Sequence, residues 1–181
     1  NYNGFGRFAY LNGNTVFASL SNGAGNELYR STDFGQNWAS MADSYFTEFQ
    51  HWCTNAIEIN PSNPNILILG GVGLYRYNVS GTDLTGIGGG VHDDFHDIAY
   101  DPANSNIFYV ACDGGVYKTT NGGGAFTRIN DGLGATQFYS SLGVSTTNAN
   151  LFLGGLQDNG VVRYNGTNWT TMGWVGGDGT T

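Results

Sequence analysis

The chain has 181 residues and a formal charge of −8, from 6 Lys+Arg against 14 Asp+Glu. Lys118 is the only lysine, so there is no basic track for phosphates; this excludes nucleic acid as a partner and disfavours an anionic membrane surface. No apolar run approaches the roughly 20 residues that span a bilayer as a helix, and 40% hydrophobic with 14% aromatic residues is too much core-forming material for a disordered tail.

Glycine is frequent at 30 residues and proline scarce at 3. That balance, mixed with Asn, Thr and Tyr, fits short strands joined by tight turns. The opening Asn1-Tyr2-Asn3 carries neither Met nor a signal peptide, which leaves export open. The lysine-poor, Asn/Gly/Thr-rich composition is that of exported proteins, so an extracellular or cell-surface location is expected.

Taken in chain order, the elements repeat. Asn12-Gly13-Asn14 precedes the apolar run Val16-Phe17-Ala18, and Leu28-Tyr29-Arg30 follows. In the second unit Ala56-Ile57-Glu58-Ile59-Asn60-Pro61 leads to Asn63-Pro64-Asn65, Ile66-Leu67-Ile68-Leu69 and Leu74-Tyr75-Arg76. The third unit runs from Asp97-Ile98-Ala99-Tyr100-Asp101-Pro102 through Asn104-Ser105-Asn106 and Ile107-Phe108-Tyr109-Val110 to Val116-Tyr117-Lys118. The fourth has Ser141-Leu142-Gly143-Val144, Asn148-Ala149-Asn150, Leu151-Phe152-Leu153 and Val161-Val162-Arg163.

The basic residue at the end of each unit returns roughly every 45 residues. Each unit holds four strand candidates, a to d; in the third they lie near 98–100, 107–111, 115–119 and 125–129. No stretch sustains a 3.6-residue apolar period, so very little helix is expected. Four strands per repeat of this length predict an all-β β-propeller with four consecutive antiparallel blades, at about 1–45, 46–88, 89–132 and 133–181. They form a single propeller region, because stacked blades bury faces that a lone sheet leaves wet.

Ser31-Thr32-Asp33-Phe34-Gly35-Gln36-Asn37-Trp38 matches S-x-D-x-G-x-x-W in full. Thr119-Thr120-Asn121-Gly122-Gly123-Gly124-Ala125-Phe126 is a weakened copy, Tyr164–Trp169 a shortened one, and Tyr77-Asn78-Val79-Ser80-Gly81 has lost the motif. On these residues the chain resembles the Asp-box (BNR) repeat propellers. Asp113-Gly114-Gly115-Val116-Tyr117-Lys118 and Gln157-Asp158-Asn159-Gly160 look most like its large secreted xyloglucanase-like and sortilin-like members. The motif's physics is local. The Asp33 side chain can accept from the hairpin's own N–H groups; the Gly takes the turn; the Trp caps the core between sheets. Ser31, Asp33, Gly35 and Trp38 are the full set and Thr119, Asn121, Gly123 and Phe126 the weakened one. These eight residues are expected to be structural.

Propellers of this group usually have more than four blades, and Gly176-Gly177-Asp178-Gly179 reads like a loop into another. The chain is therefore read as a fragment of a longer protein whose remaining blades are its first partners.

In propeller topology the d–a and b–c connections share one face, where ligands usually bind. Candidates there are His51 and Trp52, aligned with His92, Asp94 and His96 in the next unit, then Asp113, Asp158 and Asp178. Trp174, Tyr139 and Phe95 lie beside them; such aromatics stack on sugars, anchor a protein, or simply pack between blades.

No cofactor is expected. The H-x-D-x-H of His92, Asp94 and His96 is the sharpest metal candidate, with zinc as its ion, since alternate side chains of an extended segment share a side. Calcium in the Asp/Gly turns is the other. Cys53 and Cys112 form one inter-blade disulfide, given Cα atoms within roughly 7 Å, or stay free thiols.

Asp94 with Asp178 is a carboxylate pair of the kind glycoside hydrolysis needs, whereas Arg30, Arg76 and Arg163 recur as equivalent strand-c residues and so read as structural. Two functions follow. One is a non-catalytic binding or scaffold propeller recognising polysaccharide or protein; the other is part of a xyloglucanase-like glycoside hydrolase.

Overall fold

The computed structural model describes residues 6–11, 13–22, 25–41, 46–81, 83–134, 136–172 and 177–179. Asn12, Trp174 and Gly176, singled out above, lie outside them. Among the described residues sixteen strands form four separate antiparallel sheets of four, each in simple chain order. Sheet 1 is β1 (Gly6–Tyr10), β2 (Val16–Ser21), β3 (Asn26–Ser31) and β4 (Ala39–Ser40). Sheet 2 is β5 (Ala56–Ile59), β6 (Ile66–Gly70), β7 (Leu74–Asn78) and β8 (Asp83–Gly86). Sheet 3 is β9 (Phe95–Asp101), β10 (Asn104–Cys112), β11 (Gly115–Thr119) and β12 (Thr127–Arg128). Sheet 4 is β13 (Phe138–Val144), β14 (Phe152–Leu156), β15 (Gly160–Tyr164) and β16 (Trp169–Thr171). Among the described residues the one helical turn is a 3-10 segment, Glu48–Gln50.

The chain divides into two compact units, Asn1–Asn130 with sheets 1 to 3 and Asp131–Thr181 with sheet 4. In the first unit β1, β5 and β9 are neighbours, and two apolar cores fill the spaces between sheets. Ala9, Phe17 and Leu28 of sheet 1 meet Ile57, Leu67 and Leu69 of sheet 2. Ala56, Ile68 and Leu74, from the other side of sheet 2, meet Ile98, Phe108 and Val110 of sheet 3.

Sheet 2 is thus covered twice, which is why Ile66–Leu69 is an unbroken apolar run rather than an alternating one. Each such side chain contributes about 1.5–3 kcal/mol on burial. At Gly70 a Cβ would lie 2.7 Å from that of Phe95, so a larger residue would push the second core apart.

The N-x-N anchor has a physical cause. The side-chain oxygens of Asn63, Asn104 and Asn148 accept the N–H of Asn65, Asn106 and Asn150, at 3.0–3.1 Å. These are Asx turns, which fix the entry into strand b. The second Asn then offers its carbonyl to the c–d turn: Phe34 N–H donates to Asn14 O, Val79 to Asn65 O and Gly122 to Asn106 O.

The Ser31 and Thr119 turns share one bonding pattern. The hydroxyl donates to Asp33 Oδ1 or Asn121 Oδ1 and accepts the N–H of Gly35 or Gly123. Asp33 Oδ1 in turn accepts Asn37 N–H at 2.9 Å, as Asn121 Oδ1 accepts Ala125 N–H. The Asn37 amide above all, then Asn37 N–H and Ser31, hold the Asp33 carboxyl down to about 2.

The two aromatic ends of these turns differ. Phe126 packs on the second core, edge-on to Phe108 at 5.7 Å. Trp38, expected to cap a core, is instead 39% exposed: its indole donates to Gly35 O and its nearest ring is Phe8 at 6.3 Å. No sheet of the first unit lies on that side of sheet 1.

The strand-c arginines also divide. Arg76 of sheet 2 reaches the carbonyl of Gly122 in the turn of sheet 3. Arg30 stays over the Phe17 ring with its buried Nε unpaired, and the adjacent sheet's turn, Tyr77–Gly81, is the one without the motif.

Candidate functional site

At the b–c end of the first unit, the segment entering β9 is stitched to two turns. Asp94 N–H donates to Val72 O at 3.0 Å, Phe95 N–H to Gly71 O at 2.7 Å, and Asp113 N–H to Asp94 O at 3.3 Å. Asp94 adopts φ +65°, a left-handed conformation tolerated best by Asn and Asp after glycine. Gly114 closes against it, because a Cβ there would stand 2.3 Å from that of His92. This backbone knot gathers side chains from the 48–53 turn, the entry to β9 and the β10–β11 turn.

The Gln50 side-chain oxygen accepts from the Cys53 thiol at 3.3 Å. Asp94 Oδ1 is buried without a partner. Burial, then the Asp113 and Asp93 charges, raise the Asp94 carboxyl, against the lowering effect of Gln50 and His92.

His96 Nε2 lies 2.6 Å from Asp113 Oδ1, with the imidazole 43% and the carboxylate 18% exposed. His92 turns Nδ1 to Asp93 O at 3.1 Å, and His51 pairs Nδ1 with Ser21 Oγ at 2.8 Å. The 48–53 turn carries two exposed aromatics, Phe49 at 70% and Trp52 at 58%.

From this mouth a groove of about 360 Å³ runs along the first strands, lined by Arg7, Phe8, Ala56, Ile57, Glu58, His96 and Asp97. Burial raises the Glu58 carboxyl, offset by its bond from Ile59 N–H and reinforced by Asp97. Arg7 Nε donates to Asn55 O at 3.1 Å, which steadies the opposite wall.

The structure brings together His51, Trp52, His92, Asp94, His96 and Asp113 in the first unit. In the second unit Asp158 and Asp178 meet, Asp158 N–H donating to Asp178 Oδ1 at 3.2 Å. Phe95 is a core residue, 1% exposed, because the backbone knot turns it inward, and Tyr139 is 47% exposed.

The disulfide expected as one alternative is not formed. Cys53 and Cys112 are free thiols, and each sulfur turns to its own acceptor, Gln50 Oε1 and Gly115 O. Burial raises both thiols, Cys112 to about 11. His92, Asp94 and His96 do not converge, since each is held by a different neighbour; among the described residues no three His, Cys, Asp or Glu side chains could hold a metal ion.

Phe49, Arg7 and Glu58 were not expected at this face from the sequence. Glu58 left a signal, a lone carboxylate in the apolar run Ala56–Ile59.

No protein-family model matches the chain, and no curated protein matches it. Solved structures do. The GH74 enzyme of Niastella koreensis matches over 92% of this chain and 24% of its own, at 24% identity and TM-score 0.51. The GH74 xyloglucanase of Xanthomonas campestris matches over 95% and 31%, at 11% identity and TM-score 0.57. An ancestral GH74 enzyme matches over 94% and 24%, at 21% identity and TM-score 0.54. The chain therefore shares the β-propeller fold and spans 24–31% of the length of these structures.

Proposed function

We propose that the chain is a non-catalytic, Asp-box-type propeller segment of a larger exported protein, and that it recognises polysaccharide at the mouth of its first unit. The observation that carries this reading is the 48–53 turn, where Phe49 and Trp52 stand exposed beside Gln50 and the His96–Asp113 pair. Rings of this kind stack on sugar faces, and the polar groups beside them bond hydroxyls. The backbone knot at Asp94 preorganises the surface, which lowers the ordering cost of binding.

The second reading is a portion of a GH74-like glycoside hydrolase. It is favoured by the fold likeness and by Glu58 and Asp97 facing one groove, one of them with a raised carboxyl. Metal bracing at His92, Asp94 and His96 has no such support, because the three side chains are separately engaged.

A glycan array with a parallel assay for new reducing ends tests both. The binding reading expects retention of at least one polysaccharide without cleavage. A stacked ring contributes about 1 kcal/mol, so Trp52→Ala or Phe49→Ala should weaken retention by about fivefold. Cleavage abolished by Glu58→Gln or Asp97→Asn would establish the hydrolase instead. Retention of proteins but no glycan would move the ligand class to protein.

A further inference from the structure

Within the first unit, sheet 1 has a side that no other sheet covers, and its partner can be read from the other sheets. Cross-strand register aligns the row Phe8–Ala18–Tyr29 with Ile57–Leu69–Tyr75 in sheet 2 and Ile98–Val110–Tyr117 in sheet 3. In sheets 2 and 3 this row is the one pressed against the preceding sheet. In sheet 1 it faces outward: Phe8 is 64% exposed, Trp38 39% and Phe34 59%, around an apolar groove of about 340 Å³ lined by Phe8, Ala18, Leu20, Tyr29 and Trp38.

A second, independent observation lies at the turn. The equivalent turn of sheet 3 is gripped by Arg76 of the preceding sheet at the Gly122 carbonyl. Phe34 occupies the Gly122 position: each donates its N–H to the second Asn of the anchor, and each stands in the same bonded turn. The turn with no motif, Tyr77–Gly81, is the one whose neighbouring Arg30 is left unpaired. Motif and grip go together, and sheet 1 has the complete motif.

We infer that the Phe8–Ala18–Tyr29 face of sheet 1 is the seat of a further four-stranded blade of the same polypeptide, whose third strand carries an Arg or Lys that donates to the Phe34 carbonyl. The occupant offers the apolar face that Phe17 and Leu28 offer to sheet 2. Trp38 then takes the place that Phe126 holds in the second core. This rests on the reading of the chain as part of a larger propeller, but not on any ligand.

Hydroxyl-radical footprinting of the 181-residue chain, at low and high concentration, and of the polypeptide as its gene encodes it, tests the seat. Phe8 and Trp38 should react freely in the former at both concentrations and several-fold less in the latter, with Phe49 and Trp52 equally reactive throughout. Protection that grows with concentration would show a second copy as the occupant and overturn the proposal. So would protection already present in the dilute chain, or free reaction of Phe8 in the longer protein. If the gene encodes no further blades, the larger-propeller reading itself fails, a result distinct from further blades that leave Phe8 bare.

Discussion

Replacing Thr119 by Val isolates the hydroxyl on which the sheet 3 turn is built. The side chain is 1% exposed. Its oxygen donates to Asn121 Oδ1 at 2.9 Å and accepts the N–H of Gly123 at 3.0 Å and of Asn121 at 3.3 Å. Valine has nearly the same shape, so packing is kept and only the bonds go. Gly123 is buried, and leaving its N–H without an acceptor costs about 1–3 kcal/mol. The exposed Asn121 turns to water at little cost.

A net loss of about 2 kcal/mol is expected, which lowers a urea midpoint by about 1 M for a slope near 2 kcal/mol/M. Thr119→Ser keeps all three bonds and loses one methyl, about 0.8 kcal/mol. Urea unfolding followed by circular dichroism, with amide exchange at Gly123, separates the two. Equal midpoints, with Gly123 equally protected in both, would refute the assignment of the turn's stability to the hydroxyl.

Three further outcomes follow from the charged and thiol groups. Glu58 has a raised carboxyl in the folded chain, so its ionised form opposes folding above that raised value, and the penalty fades as pH falls toward the ordinary carboxylate range. Glu58→Gln should therefore raise the urea midpoint at neutral pH and not at pH about 3; the same gain at both values would contradict the burial argument. Asp33 is held down to about 2, so the folded chain keeps it ionised below the usual carboxylate range, and the stability it contributes is full at neutral pH and fades progressively as pH falls from about 4 toward 2; an Asp33 carboxyl that titrates by NMR at the ordinary carboxylate value would contradict this. Cys53 and Cys112 should both react with a thiol reagent in denaturant, while Cys112, raised to about 11 by burial, stays silent in the native chain at pH 8.

Much of the fold was legible because its signals are local. The N-x-N pair reports an Asx turn completed within three residues, and the S-x-D-x-G-x-x-W turn closes its bonds within eight. Strand limits were less legible. The third unit's first two strands extend to Phe95–Asp101 and Asn104–Cys112, since a tight hairpin at 101–104 carries the ladder to the Asn104–Asp101 pair. Its last strand shrinks to Thr127–Arg128, because Ala125 N–H is taken by Asn121.

The site was legible only in outline. His51, Trp52, Asp94 and Asp113 fell in the loops that topology brings together, but the backbone bonds that tie Asp94 to Val72 and Asp113 to Asp94 join distant parts of the chain. The backbone knot that buries Phe95 and separates His92 from His96 has no sequence motif. The cysteines illustrate the same limit: topology allowed a bridge, and the nearer acceptors decided against it.

The most direct check on the recognition surface is the behaviour of the Trp52 indole N–H in a heteronuclear NMR spectrum as a retained polysaccharide fragment is added. The account predicts a saturable shift of that resonance and of the Gln50 side-chain amide, with the Trp38 and Trp169 indoles unmoved. A fragment that binds while leaving Trp52 and Gln50 unchanged would contradict it.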